Sequence, residues 1–180
     1  MTRTIVLAAA LVTLSIATAA TAQTPKRLNL PGINNSWRVN KAIVTGGTIM
    51  MRDVAIPALK REHIKTVIDL AGGAESDAER AAVTAAGMKY LVFPIAPDDA
   101  SKVDAMLKAF ADPANAPVFI HSGAGHRAAM ALFLRRVLVE HVDIEKAGIE
   151  AAASGLVLSN DMAPGWWKFA RDYLNAHEKK

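Results

Sequence analysis

The stretch PVFIHSGAGHRAAM, residues 117–130, decides how this chain is read. Val118-Phe119-Ile120 is a short apolar run, the pattern of a buried strand. Ser122-Gly123-Ala124-Gly125-His126-Arg127 follows His121 as a glycine-rich turn, and Ala128-Ala129-Met130-Ala131-Leu132 opens a helix. Successive backbone N–H groups in such a turn converge into a concave nest for an anion. The start of the following helix adds unpaired N–H groups and a partial positive charge. Gly123 and Gly125 allow conformations that a β-carbon would obstruct. Arg127 supplies a planar fork that matches two oxygens of a phosphate or sulfate. The loop is therefore expected to bind an oxyanion through Ser122, the amides of Gly123, Ala124, Gly125 and His126, and Arg127. The plainer alternative is a structural strand-to-helix turn.

Outward from this loop the pattern alternates. Ala42-Ile43-Val44 is a strand candidate ended by Gly46-Gly47, and Asp53 to Arg61 has a helical apolar face. Lys65 to Leu70 is a β-branched strand. Ser76 stands three residues before Glu79, the spacing of a capping box, for a helix that stops at Gly87. Met88 to Ile95 is a third strand. Asp99 or Ser101 is placed to cap a helix in which Val103, Met106, Leu107 and Phe110 share a face. After the fourth strand come helices over Arg127 to Glu140, Ile144 to Ser154 with Asp143 as cap, and Asp161 to His177. This order predicts an α/β fold with a central, mainly parallel sheet of four to five strands flanked by helices. In such sheets ligands sit at the carboxyl ends of the strands, where residues 122–127 lie.

The first 22 residues stand apart. Met1-Thr2-Arg3 is basic, Ile5 to Thr21 is apolar or small, and Ala20-Thr21-Ala22 has the form of a cleavage site. That pattern is a signal peptide, which implies a periplasmic or secreted protein with no membrane contact after cleavage; a retained membrane anchor is the alternative. Residues 23–40 are rich in Pro, Asn and Arg and read as an extended lead-in, and residues 41–177 as one domain. The net charge of +4 falls to +3 without Arg3, and there is no Lys/Arg run, so nucleic acid is not an expected partner. The chain has no cysteine. Disulfides, thiolate metal sites and a cysteine nucleophile are excluded together.

His121-Ser122-Gly123-Ala124-Gly125-His126-Arg127-Ala128 resembles the signature loop of cysteine-dependent protein phosphatases, with Ser in the place of their Cys. Those loops have five residues between Cys and Arg, whereas this chain has four, Gly123 to His126. A four-residue gap is found in rhodaneses and in the phosphatase-like domain of the bacterial beta-lactamase-hydrolase-like proteins. Val44-Thr45-Gly46-Gly47, Ala58 to Leu70, Ala86 to Tyr90, Phe93-Pro94-Ile95, Pro117 to Leu132 and Ala147 to Gly155 are similar to that domain. The likeness covers most of residues 38–156 and implies a dual-specificity-phosphatase-like fold of the protein tyrosine phosphatase superfamily, with no cofactor. It places Ser122 at the nucleophile position and Arg127 on the phosphoryl oxygens. Asp98 and Asp99 are the general-acid candidates, with helix capping as their alternative role.

A free thiol titrates near pKa ~8.5, and a helix N-terminus lowers it further. An alcohol starts several units higher, so Ser122 would need a base. The expectation is a phosphatase-like protein that binds a phosphorylated or sulfated ligand and is catalytically impaired. One alternative is an active hydrolase using Ser122, or a water activated by Asp98, Asp99 or a histidine. Residues 120–124 do not form a G-x-S-x-G elbow. Another alternative is a non-catalytic interaction module. His121 is expected to support the loop. The five histidines show no metal-binding spacing. Trp166, Trp167, Phe169 and Tyr173 read as a packing face, Met50-Met51 as core or entrance packing, and Glu75, Asp77 and Glu79 as helix-capping acids.

Overall fold

The computed structural model describes residues 24–158 and 165–178. The signal-peptide reading of residues 1–22 and the start of the last expected helix, at Asp161, lie outside them. Among the described residues no helix is long and apolar enough to cross a membrane.

The elements in chain order are β1 (Lys26–Arg27), β2 (Trp37–Arg38), β3 (Ile43–Gly46), α1 (Arg52–Arg61), β4 (Thr66–Asp69), α2 (Glu75–Ala85), β5 (Lys89–Val92), α3 (Val103–Ala111), β6 (Val118–His121), α4 (His126–Leu138), α5 (Ile144–Ala153) and α6 (Trp166–Glu178). They build one six-stranded sheet in the order β1-β2-β3-β6-β4-β5. The pairs β3–β6, β6–β4 and β4–β5 are parallel, and β1 and β2 join antiparallel at the β3 edge. The expected α/β sheet is present, and residues 24–40 extend it by two strands of two residues each.

Helices cover both faces, and the alternation of side chains along each strand divides the core accordingly. Val118 and Ile120 of β6, with Ile43, Ile68 and Leu70, face α3, α4, α5 and α6. Phe119, with Val44, Val67 and Tyr90, faces α1 and α2. Every residue from Ala128 to Leu134 in α4 is fully buried. A helix apolar all round belongs inside a layer, and each of its large side chains stabilises the fold by roughly 1.5–3 kcal/mol through burial. Arg136 is a buried charge on that helix. Its guanidinium, 1% exposed, meets the buried Glu150 of α5 in two hydrogen bonds of 2.6 and 2.9 Å, a paired arrangement that tolerates burial.

Three capping expectations have different outcomes. Asp143 caps α5, accepting from the amides of Glu145 and Lys146. Ser76 does not cap α2: the helix starts at Glu75, after Ala74, and no capping box forms. Neither Asp99 nor Ser101 caps α3, which begins after Lys102 with no side-chain cap; Asp99 instead accepts the amide of Ser101 in the preceding turn. The aromatic residues of α6 do form a packing face, with Trp166, Phe169 and Tyr173 buried. Met50 and Met51 are not core residues, being 65% and 54% exposed.

Candidate functional site

The register of the sheet gathers three strand ends. Gly46 of β3 and Asp69 of β4 both stand level with His121 of β6. The segments that leave these strands therefore emerge side by side at the carboxyl edge: Gly47-Thr48, Ala71 to Gly73, and the loop 122–127.

The loop is tied to its neighbours by its carbonyls. The Gly123 carbonyl accepts from the Thr48 amide at 2.8 Å and from the Thr48 hydroxyl at 3.0 Å. The Ala124 carbonyl accepts from the Asn35 carboxamide at 3.0 Å. The Ser122 amide donates to the Gly46 carbonyl, at 3.3 Å. Among the described residues, the amides of residues 123–127 donate to no protein acceptor. In a planar trans peptide C=O and N–H point in opposite directions. Carbonyls held on the outside leave the amides of Ala124 and Gly125 facing the other way.

Glycine is required at one of the two expected positions. Gly125 has φ +94° and precedes the first residue of α4, and a Cβ there would come within 3.3 Å of the Gly46 carbonyl. A Cβ on Gly123 would meet nothing within 4 Å, so close packing does not demand glycine there. Ser122 is 2% exposed and sits at the base of the turn.

Arg127 is held from behind. Its Nη1 donates to the carbonyls of Leu70 and Ile95 at 2.8 and 2.9 Å, and its guanidinium lies 5.2 Å from the centre of the Trp166 ring. Nε and Nη2 have no protein acceptor among the described residues. Burial works against the arginine's charge and the Asp69 carboxylate works for it, the former being larger. The side chain lines a cleft of about 500 Å³ with Pro94, Pro97, Asp99, Lys102 and Trp166.

The two aspartates separate. Asp99 borders the Arg127 cleft, whereas Asp98 lines a different groove with Lys168, Asp172 and Tyr173. Asp99 is exposed, and hydrogen bonds from Ser101, helped by Lys102, hold its carboxyl below the usual range. In this conformation it is an anion that closes a turn.

Beneath the loop lies a buried polar cluster. Asp69, 3% exposed, accepts from the amides of Ala71 (2.7 Å) and Gly72 (3.2 Å) and from the hydroxyls of Ser76 (2.6 Å) and Tyr90 (3.0 Å). Burial alone would raise its pKa. The His121 charge, Ser76 and the two amides outweigh burial and lower it. His121 stacks on Phe119, with ring centres 5.3 Å apart, and its Nε2 lies 2.8 Å from a Glu79 carboxylate oxygen without the alignment of a hydrogen bond. Glu79 is thus a buried partner of His121 rather than one of three capping acids, while Glu75 is exposed and paired with Arg52. His126 is the first residue of α4 and half-buried. Among the described residues no His, Asp and Glu cluster is arranged to hold a metal.

The sequence alone did not single out Asn35, Thr48, Asp69, Glu79 or Trp166 as parts of this site. Only Asn35 carried a local hint: asparagine tolerates left-handed backbone, and here it has φ +51°.

No protein-family model matches the chain, and no curated protein sequence does. Solved structures do. TpbA of P. aeruginosa superposes with a TM-score of 0.65 at 22% identity, over 88% of this chain and 92% of that one. A serine-for-cysteine variant of TpbA in complex with pTyr gives 0.66 at 20% identity, over 91% and 99%. A DUF442 phosphatase of Shewanella putrefaciens CN-32 gives 0.63 at 20% identity, over 82% and 96%. The catalytic core of the PP-IP phosphatase SIW14 of S. cerevisiae, in complex with citrate, gives 0.62 at 17% identity, over 81% and 89%. The chain has the fold of the dual-specificity and tyrosine phosphatases.

Proposed function

We propose that loop 122–127 is an oxyanion site for a phosphate- or sulfate-bearing ligand, in a phosphatase-like protein whose covalent chemistry is lost because Ser122 occupies the nucleophile position. The carrying observation is the polarity of the loop: its carbonyls are engaged by Asn35 and Thr48, while the amides of residues 123–127 have no protein partner among the described residues. Arg127 adds Nε and Nη2, left over once Nη1 is anchored. Two neighbours of the same fold were solved with anionic ligands, pTyr and citrate, which supports an anionic ligand for this chain. The four-residue spacing from Ser122 to Arg127 supports a likeness to the phosphatase-like domain of the beta-lactamase-hydrolase-like proteins.

What the residues can do follows from their chemistry. The amides and Arg127 neutralise the equatorial oxygens of a bound phosphoryl group. The Ser122 hydroxyl is a neutral donor and, lacking a base, does not attack. His121 is turned toward Glu79 and Phe119, in the α1–α2 layer, which weighs against a serine–histidine hydrolase. Asp99 is placed to act as the acid of an active relative only if it leaves Ser101. The basic start and apolar run of residues 1–22 support a periplasmic or secreted location for the protein.

The test compares wild type with Ser122→Cys. Thermal unfolding is followed with phosphate, sulfate and vanadate, and turnover with one aryl phosphate. Stabilisation of wild type by at least one anion, without turnover, is expected. Silence toward all three anions would remove the oxyanion site, and turnover by wild type that disappears in Ser122→Ala would remove the impairment. Gain of turnover in Ser122→Cys would show that the sulfur alone is missing.

A further inference from the structure

Asn35 stands 89 residues from the loop in sequence and is the donor to the Ala124 carbonyl. Its carboxamide has a fixed orientation. The indole N–H of Trp37 donates to Asn35 Oδ1 at 2.8 Å, and an indole can only donate, so the other end of the carboxamide must be the NH2 group. That group sits between two glycines. A Cβ on Gly125 would lie 2.9 Å from Nδ2, and a Cβ on Gly155, at the end of α5, would lie 3.0 Å from it. Both glycines have positive φ, +94° and +109°. Two segments remote from Asn35 in sequence thus leave a slot for its NH2 group.

We infer that Asn35 is the positioning residue that turns the Ala124–Gly125 peptide so that the Gly125 amide faces the bound anion. The inference rests on the oxyanion reading of the loop. Two neighbouring peptides of the loop are held unequally. The Gly123 carbonyl is held twice, by the amide and by the hydroxyl of Thr48. The Ala124 carbonyl is held only by Asn35 among the described residues. Removing the Thr48 hydroxyl leaves the backbone bond in place and the Ala124 amide aimed as before. Removing the Asn35 donor frees the next peptide to rotate, and Gly125, without a β-carbon, offers little resistance. One amide is then lost to the anion. Trp37 and Gly155 act through the same residue, the first by choosing which end of the carboxamide faces the loop, the second by leaving room for it.

The experiment compares wild type, Thr48→Ala and Asn35→Ala by 15N-resolved NMR, without ligand and on titration with inorganic phosphate. Asn35→Ala is expected to weaken phosphate about tenfold, the effect of one charge-assisted hydrogen bond, and Thr48→Ala less than about threefold. In Asn35→Ala the Gly125 amide signal should move in the free protein and no longer respond to phosphate, while the Ala124 signal still responds. Equal affinity in wild type and Asn35→Ala would overturn the inference. If wild type itself ignores phosphate, the oxyanion reading falls, and the ligand-free spectra decide Asn35: an unchanged Gly125 signal in Asn35→Ala overturns its positioning role. Asn35→Asp keeps the size and the acceptor for Trp37 but lacks the donor; because its charge alone repels phosphate, it carries the test through the ligand-free Gly125 signal if Asn35→Ala does not fold. Failure of both to fold would make Asn35 a structural residue and overturn the inference.

Discussion

At the scale of single residues, Arg127 shows why a charge is not interchangeable with its geometry. Nη1 is committed to two carbonyls from segments that follow β4 and β5, at Leu70 and Ile95. The remaining face, Nε and Nη2, is aimed by that anchoring. Lysine has a single ammonium group and no second face. In Arg127→Lys, phosphate affinity is expected to fall at least about tenfold, since a bidentate contact to an anion is lost. Phosphate titration followed by thermal shift measures it, and undiminished affinity would exclude Arg127 from the contact. The loop's own members, from Ser122 to Arg127, were legible in the sequence because they are contiguous: strand, glycine turn and helix start in one run. Asn35 and Thr48 were not, because each acts from outside that run across separations of 89 and 75 residues, and nothing in a carboxamide or a hydroxyl announces its distant partner. The sequence marks His121 as loop support. What it touches depends on Glu79 rising from α2 to meet it, a matter of packing alone.

At the scale of elements, the strands with β-branched runs and the amphipathic helices were readable from period and punctuation. β1 and β2, with two residues each, have too little length for any period, and pairing with β3 is what makes them strands. The caps show how tertiary structure competes for the same side chain. Asp143 has no other side-chain hydrogen bond among the described residues and caps α5 as its spacing suggests. Ser76 had a stronger one, the buried Asp69 carboxylate at 2.6 Å. Two substitutions should rank accordingly in urea unfolding. Asp143→Ala is expected to cost about 1 kcal/mol, the usual worth of an N-cap. Ser76→Ala removes a bond to a buried charge and is expected to cost roughly 1.5–3 kcal/mol. The reverse order would mean that the Asp69 cluster contributes less to the fold than its burial implies.

At the scale of the whole molecule, the Asp69 cluster links stability to acidity. Asp69 titrates below its ordinary 3.8 in the folded chain. A carboxyl with a depressed folded pKa contributes stability that is complete above its unfolded value and disappears as pH falls below that value through the folded one. Wild type should therefore lose stability steeply below about pH 4, and Asp69→Asn should be less stable near neutrality yet flatter with acid, because one proton-linked term is gone. Urea midpoints from neutral to strongly acidic pH measure both slopes, and parallel curves would exclude Asp69 as the source. The fold class itself was legible at this scale, since alternation of strand and helix admits few arrangements. The convergence of β3, β4 and β6 at one edge was not, because it depends on strand order: the last strand lies between the first and second strands of the parallel set.

The buried hydroxyl of Ser122, at the foot of a cup in a chain with no sulfhydryl anywhere, has a chemical corollary. Sites of this shape that depend on a reactive thiolate are poisoned by peroxide and by alkylating agents, because low-pKa sulfur climbs the oxidation ladder readily. An alcohol gives such reagents no foothold. On the proposed reading of the loop, an anion in this cup is held on the same terms in an oxidising medium as in a reducing one.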